Sequence, residues 1–316
     1  MKKILLLAAL AVVVSVSPAV RGQNSQPPLD TVLAESQNQT QKYIEGFKNL
    51  LADEIKTFAD YDKNGQNPKT TTVKSSFLVY QSGKNAKATA ELRNVREVDG
   101  KPIPDSQKRG EEFLAELDKQ QTLESELKKL EKEGSKYDRT LEISGLTLNQ
   151  AVALAPNLRQ YFDFRLAGTE NVEGRDLIVL AFQQKAKTPD ITVNEKERST
   201  PGALAVNYDL DIPGELKKSN LFLRGRLWLD PQTFQVRREE RELTAQAAGP
   251  VVLLSNVFEY QSSDYGILLP KTITLTTFKA KKNGDAFTTV KDLDIRLDYS
   301  NYRQTNVEVK ILDDEN

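Results

Sequence analysis

Asp60-Tyr61-Asp62-Lys63-Asn64-Gly65 opens like an EF-hand calcium loop, with oxygen donors at alternate positions and glycine at the sixth. The twelfth position of such a loop carries a bidentate glutamate. Here it is Thr71, and a strand pattern follows where the exit helix belongs. The competing reading is a connecting loop rich in turn formers. Arg224 and Arg226 share a strand face with Trp228, and Arg238, Glu240 and Glu242 share a face of the following strand. These cations are candidates for an anion site, or, paired across a hairpin, for a solvated ladder of ion pairs. The 45 acidic side chains include enough carboxylates for glycoside hydrolysis. No spacing fixes two of them at a set separation, and the one tryptophan provides little aromatic platform for a sugar.

Histidine and cysteine are both absent. That removes the Ser-His-Asp triad, the Cys-His pair, zinc sites built on either residue, and every disulfide. No Walker loop is present, and no G-x-G-x-x-G follows a strand. Carboxylate, lysine or tyrosine chemistry, oxygen-ligated metals, or binding without catalysis remain. No catalytic residue, metal ligand or cofactor is assigned.

The elements that must position any site begin with a leader. Met1-Lys2-Lys3 is followed by an apolar run from Ile4 to Val16, broken by Ser15, and by small residues at Ala19 and Gly22. This is the three-part pattern of a secretory signal over 1–22, and it predicts an exported protein, periplasmic or secreted. A retained anchor is the alternative, but the run falls short of the ~20 residues that span a bilayer. No cysteine follows it to accept a lipid. Removal of Lys2, Lys3 and Arg21 takes the net charge from −1 to −4. A mildly acidic chain has no electrostatic footprint for nucleic acid.

Residues 23–28 read as a flexible leader. Leu29 to Phe58 reads as one amphipathic helix, since Leu33, Tyr43, Ile44, Phe47, Leu50, Leu51, Ile55 and Phe58 recur at three- and four-residue steps. Two strands follow, with Val73, Ser75, Phe77 and Val79 on one face of the first. In the second, Ala86, Ala88, Ala90 and Leu92 share a face. Ser82 to Asn85 and Asp99-Gly100 mark turns. Asp105 to about Glu133 reads as a second helical region, with patches at Phe113, Leu114 and Leu117 and at Leu123, Leu127 and Leu130. Leu148 to Ala155 is a short helix ended by Pro156, Leu158 to Leu166 and Leu177 to Gln183 are strands, and 187–220 is a long polar excursion.

From Leu221 onward, long strands alternate apolar and polar residues, the last carrying Val307, Val309 and Ile311. The predicted fold is α+β and β-dominated. It is a large curved antiparallel meander of nine or ten strands, half-barrel-like and apolar throughout on one face. The N-terminal and inserted helices cover the concave side. Residues 29–316 form a single domain. Phe77, Val79, Leu227, Leu229, Ile273, Leu275, Leu293, Ile295 and Leu297 are the candidate lining of a pocket for a lipid, an acyl chain or a hydrophobic peptide. The same side chains equally suit a filled core.

Several stretches resemble an uncharacterised family of exported bacterial proteins. They are Val32-Leu33-Ala34, Tyr43-Ile44, Ala52-Asp53-Glu54, Ser76-Phe77-Leu78, the run from Arg93 to Ile103, Gly225 to Asp230 with Arg237-Arg238, and Tyr299-Ser300-Asn301-Tyr302-Arg303. That family lends no activity and no catalytic residues. The helix-then-meander order is similar to periplasmic lipoprotein carriers of the LolA type, which implies a half-barrel with helical lids sheltering acyl chains. This chain is longer, and its 187–220 excursion has no counterpart there. Together these expectations describe a non-enzymatic carrier-like protein that meets a membrane only transiently. An envelope scaffold without ligand, or a carboxylate-dependent hydrolase, are the alternatives. Oligomeric state is not legible.

Overall fold

The structure is a computed structural model. It describes residues 27–81, 89–117, 132, 134, 136–137, 145–185, 191–192, 204–205, 209–217 and 220–304. The signal, the turn at Ser82–Asn85, the leucines at 123, 127 and 130, most of the 187–220 excursion and the strand at 307–311 lie outside those residues.

Helix α1 spans Leu29–Gly46 and buries Val32, Leu33, Ser36, Thr40 and Tyr43, a single stripe at helical spacing. The helix does not reach Phe58. Asn49 adopts φ 53°, a left-handed conformation that ends helical propagation, and Leu50–Asp60 becomes strand β1. The residue pattern fits both periods. Leu50, Leu51, Ile55 and Phe58 fall on a helical stripe, whereas Leu50, Ala52, Glu54, Lys56 and Phe58 alternate. Tertiary pairing decides, because β1 fills the gap between β2 (Lys69–Gln81) and the C-terminal strand β13 (Ala286–Gln304). The cost of the strand is Ile55, left 41% exposed on the outer face.

Among the described residues, eleven strands form one open antiparallel sheet in the order β4-β3-β2-β1-β13-β12-β11-β10-β9-β6-β5. Here β3 is Thr89–Val98, β4 Lys101–Pro102, β5 Phe162–Val172, β6 Arg175–Gln184, β9 Asn220–Leu229, β10 Val236–Gln246, β11 Pro250–Gln261 and β12 Leu269–Asn283. The short strands β7 (Ile191–Thr192) and β8 (Leu204–Ala205) pair separately. Register shifts interrupt seven of the ladders, and each such bulge bends and over-twists its strand. The β-dominated, curved, half-barrel architecture follows. It is a meander with a long-range closure, since β1 pairs with β13, the last strand among the described residues.

One buried cluster joins α1 (Val32, Tyr43), the segment 146–154 and the inward residues of the strands from β2 to β6. The predicted short helix at 148–155 is a 3-10 turn at Val152–Leu154, and a second 3-10 turn, Arg159–Tyr161, leads into β5. Helix α3 (Gly214–Lys217) packs beside β9 and β10. Helix α2 is described over Ser106–Leu117 and lies on the other side of the sheet. Asn94, an outward residue of β3, donates to the Ser106 carbonyl at 2.9 Å, and Gly110 lies against the same amide. The concave face is therefore covered by α1, the 146–161 turns and α3, while α2 packs on the outer face over β3. No helix among the described residues is long and apolar enough to cross a membrane.

Candidate functional site

All nine predicted lining residues point to the concave side and belong to the same buried cluster, none more than 2% exposed. Cross-strand register places them in adjoining rows. Ile273 is opposite Leu297, Leu275 opposite Ile295 and Thr277 opposite Leu293. On the far side Leu180 faces Leu227, which faces Glu239.

That last pairing corrects the sequence reading. The concave face is not apolar throughout; it holds two groups of buried charge. In the first, Arg93 Nε donates to both oxygens of Glu54, at 2.9 and 3.1 Å, and its Nη2 donates to Glu91 at 3.2 Å. Lys56 lies 3.5 Å from Glu54, and all four side chains are essentially solvent-free. The Thr147 backbone N–H and hydroxyl both donate to Glu91, while the Tyr43 hydroxyl donates to the Thr147 carbonyl at 2.6 Å. The quartet thus ties β1 and β3 to the cover. The Arg93 guanidinium also lies 5.0 Å over the Phe77 ring. Burial opposes ionisation of Glu54, but the charges of Arg93 and Lys56 outweigh it and hold the carboxyl below its ordinary value. Burial likewise pushes the hydroxyls of Tyr43, Tyr260, Tyr299 and Tyr302 well upward, so all four stay neutral.

The second group is Glu239 and Arg241 on β10. One Glu239 oxygen accepts the Ala151 N–H at 2.8 Å; the other lies 3.1 Å from Arg241 Nε, off the hydrogen-bond axis. Here burial outweighs the neighbouring Arg241 and raises the Glu239 carboxyl above its ordinary value. The segment that caps Glu239 is itself strained, because Ala151 sits at φ 46°, ψ 47°, a left-handed conformation that a Cβ disfavours. Sequence reasoning missed both groups. Glu54 and Lys56 lie in the stretch that reads as helix from the sequence, and the two faces of β3 are the reverse of those expected. Glu91 and Arg93 point inward, while Leu92 is buried under α2. The available signal was the alternation in β1 and in β10, which sets Glu54, Lys56, Glu239 and Arg241 among inward apolar positions.

Several solved structures are similar to this chain. One is a DUF1329 family protein from Desulfovibrio piger, 12% identical over 90% of this chain and 95% of that one, at a TM-score of 0.38. Another is a putative outer membrane lipoprotein-sorting protein domain from Vibrio parahaemolyticus (13% identity, 88% and 93% coverage, TM-score 0.35). A third is lipoprotein LppX of Mycobacterium tuberculosis (11%, 87% and 96%, 0.25). At these scores the likeness carries nothing beyond itself. No protein-family profile matches the sequence, and no curated protein does.

Among the described residues, clefts open on the surface at several places. A cleft of about 550 Å³ lies between α1 and the start of β5, lined by Leu29, Leu33, Phe162 and Phe164 with Arg159 and Lys185 at its rim. Leu33 and Phe162 belong to the concave core, so this cleft meets that core at its margin. A second, about 470 Å³, lies under α2 on the outer face, floored by Leu51, Leu78 and Leu92. A third, about 420 Å³, runs along Leu177, Arg237, Arg238 and Lys271. None of the nine predicted residues lines any of the three.

The outer-face charges form the predicted ladder. Arg224 pairs with Glu242 at 2.7 Å, Arg226 with Glu240 at 2.8 Å, and Arg238 with Glu240 and Glu259, each at 2.8 Å. Arg226 and Arg238 lie 4.6 and 5.3 Å over the Trp228 ring, whose N–H donates to Glu170. Leu177 and Val179 complete a small outer cluster beneath them. In the calcium-like loop, Asp62 Oδ1 accepts the Asn64 and Gln66 N–H groups and Oδ2 accepts the Asn67 side chain. Its oxygens build an Asx turn, which matches the connecting-loop reading. Among the described residues no group of three or more acidic side chains is placed to hold a metal.

Proposed function

We propose that the protein is an exported, non-enzymatic, carrier-like protein that holds a hydrophobic ligand between the concave sheet face and its helical cover. The ligand class is a lipid or the acyl chain of a lipoprotein. One observation carries this reading: among the described residues a broad, largely apolar sheet face is covered by helix α1, a set of 3-10 turns and the short α3, and a cleft beside α1 reaches Leu33 and Phe162 of that core. A second sheet would bury such a face permanently. The 3-10 turns, the first entered through a strained residue at Ala151, open at lower cost than a sheet. The sequence signal at 1–22 and the absence of histidine and cysteine support export and binding.

A second reading, an envelope scaffold with a filled core, is favoured by the near-zero exposure of all nine inward residues. Carboxylate-dependent hydrolysis fits less well, because Glu54, Glu91 and Glu239 are engaged by Arg93, Thr147, Arg241 and Ala151. Native mass spectrometry of protein purified without detergent separates the first two readings. The carrier gives an added mass of lipid size that organic extraction removes. A scaffold gives the polypeptide mass alone and takes up no added palmitate.

A further inference from the structure

Arg241 and Asn256 stand opposite one another on β10 and β11, both inward and only 5% and 4% exposed. Arg241 Nε and Nη2 make no hydrogen bond, and neither does Asn256 Oδ1. Nε and Nη2 form one edge of the guanidinium, the edge that grips a carboxylate through two parallel hydrogen bonds. A buried cation left with open donors is costly, and a chain that needed Arg241 for structure alone had a better solution available. That solution is visible at Arg93, where Nε and Nη2 are both satisfied by Glu54 and Glu91. Glu239 neutralises charge near Arg241 without filling its fork. Beside the fork the face turns apolar. The Phe258 ring lies 4.2 Å from the guanidinium, Phe258 pairs with Ile273, Asn256 with Leu275, and Leu275 with Ile295.

We propose that the Arg241 fork, with Asn256 as its polar neighbour, receives the carboxylate head of a bound acyl chain, the chain itself lying along Phe258, Ile273, Leu275 and Ile295. This rests on the ligand-binding reading above and names the head group that the site selects. Glu239 is the carboxylate that such a ligand meets at the fork, one oxygen held by the Ala151 N–H and the other 3.1 Å from Arg241 Nε. Entry displaces the turn whose Ala151 N–H caps Glu239.

The test is displacement of a fluorescent fatty-acid analogue from the purified full chain by palmitate and by methyl palmitate, which share a chain and differ in the charged head. Wild type prefers palmitate by about tenfold or more, the value of a charge-assisted fork. Arg241→Met abolishes the preference and leaves the ester bound; because it also takes the cation from the buried Glu239, the same comparison is made in Arg241→Met combined with Glu239→Gln, which removes that stranded charge. Arg241→Lys, which keeps charge but lacks the fork, recovers only part of the preference, and the neutral isostere Glu239→Gln keeps it. Equal affinity for acid and ester in wild type overturns the head-group site while leaving the carrier reading intact. So does a preference that survives in Arg241→Met and Arg241→Lys. Failure of both ligands to bind overturns the carrier reading itself.

Discussion

Arg93→Met lowers the unfolding free energy by about 3–5 kcal/mol in urea titrations followed by circular dichroism, as expected when one member of a buried ionic network is removed. The loss comes from Glu54 and Glu91, which stay buried while their shared cation leaves. Lys56, 3.5 Å from Glu54, is a partial substitute. The pH dependence separates this cause from lost packing. In wild type the Glu54 carboxyl is lower in the folded state than in the unfolded chain, so its contribution is full above the ordinary carboxylate value. It is lost as pH falls through the lowered folded value. In the variant, burial acts with less opposition and raises the folded value, which reverses the sign. Stability is then lost as pH rises through the carboxylate range. The gap between wild type and Arg93→Met is accordingly widest near neutral pH and narrows on acidification. A gap independent of pH, or smaller than about 1 kcal/mol, contradicts a buried ionic latch. Adding Glu54→Gln to Arg93→Met returns part of the loss, since the two residues are directly coupled.

Gly225→Ala is the second large effect, about 3 kcal/mol of destabilisation, at the upper end of overpacking costs. Gly225 lies on β9 between Phe182 of β6 and Arg241 of β10. A Cβ there would collide with the Glu240 carbonyl of the neighbouring strand and stand 2.6 Å from Phe182 Cζ. The carbonyl belongs to a ladder whose spacing is fixed by hydrogen bonds, so it cannot withdraw. The ring is the softer obstacle. Gly225→Ala combined with Phe182→Leu therefore stays well below wild type, because the backbone collision remains. Full recovery in the double variant would show that the aromatic contact alone demands glycine.

The strands from β9 to β13 were legible because each alternates cleanly and ends at an identifiable turn, such as Asp230 to Thr233, where Asp230 caps two backbone N–H groups. The inward orientation of Leu227, Leu229, Ile273, Leu275, Leu293, Ile295 and Leu297 followed from that alternation. Strand β1 was not legible, because its apolar residues satisfy both the helical and the strand period. Only its long-range partners in β13 and β2 decide between them. The same misreading concealed the latch. Glu54 and Lys56 look like a solvated helix face until β1 is a strand, and Arg93 looks outward until β3 is set against Phe77. The polar side of the candidate site, Glu239 and Arg241, alternates along β10 with Arg238, Glu240 and Glu242, whose outward charges form the more obvious ladder. A charge at an inward position of an alternating strand is a sequence signal in its own right, and here it marks both the latch and the proposed head-group site.

Hydrogen exchange with and without palmitate tests the central claim most directly, because it reads the cover and the sheet separately in one sample. A separable cover predicts that amides of α1 and of residues 146–161 exchange faster than those of β9 to β13. It also predicts that palmitate changes protection in the cover while leaving the central strands as they were. Equal protection of cover and sheet, unchanged by palmitate, contradicts it and leaves a filled core with no ligand to carry.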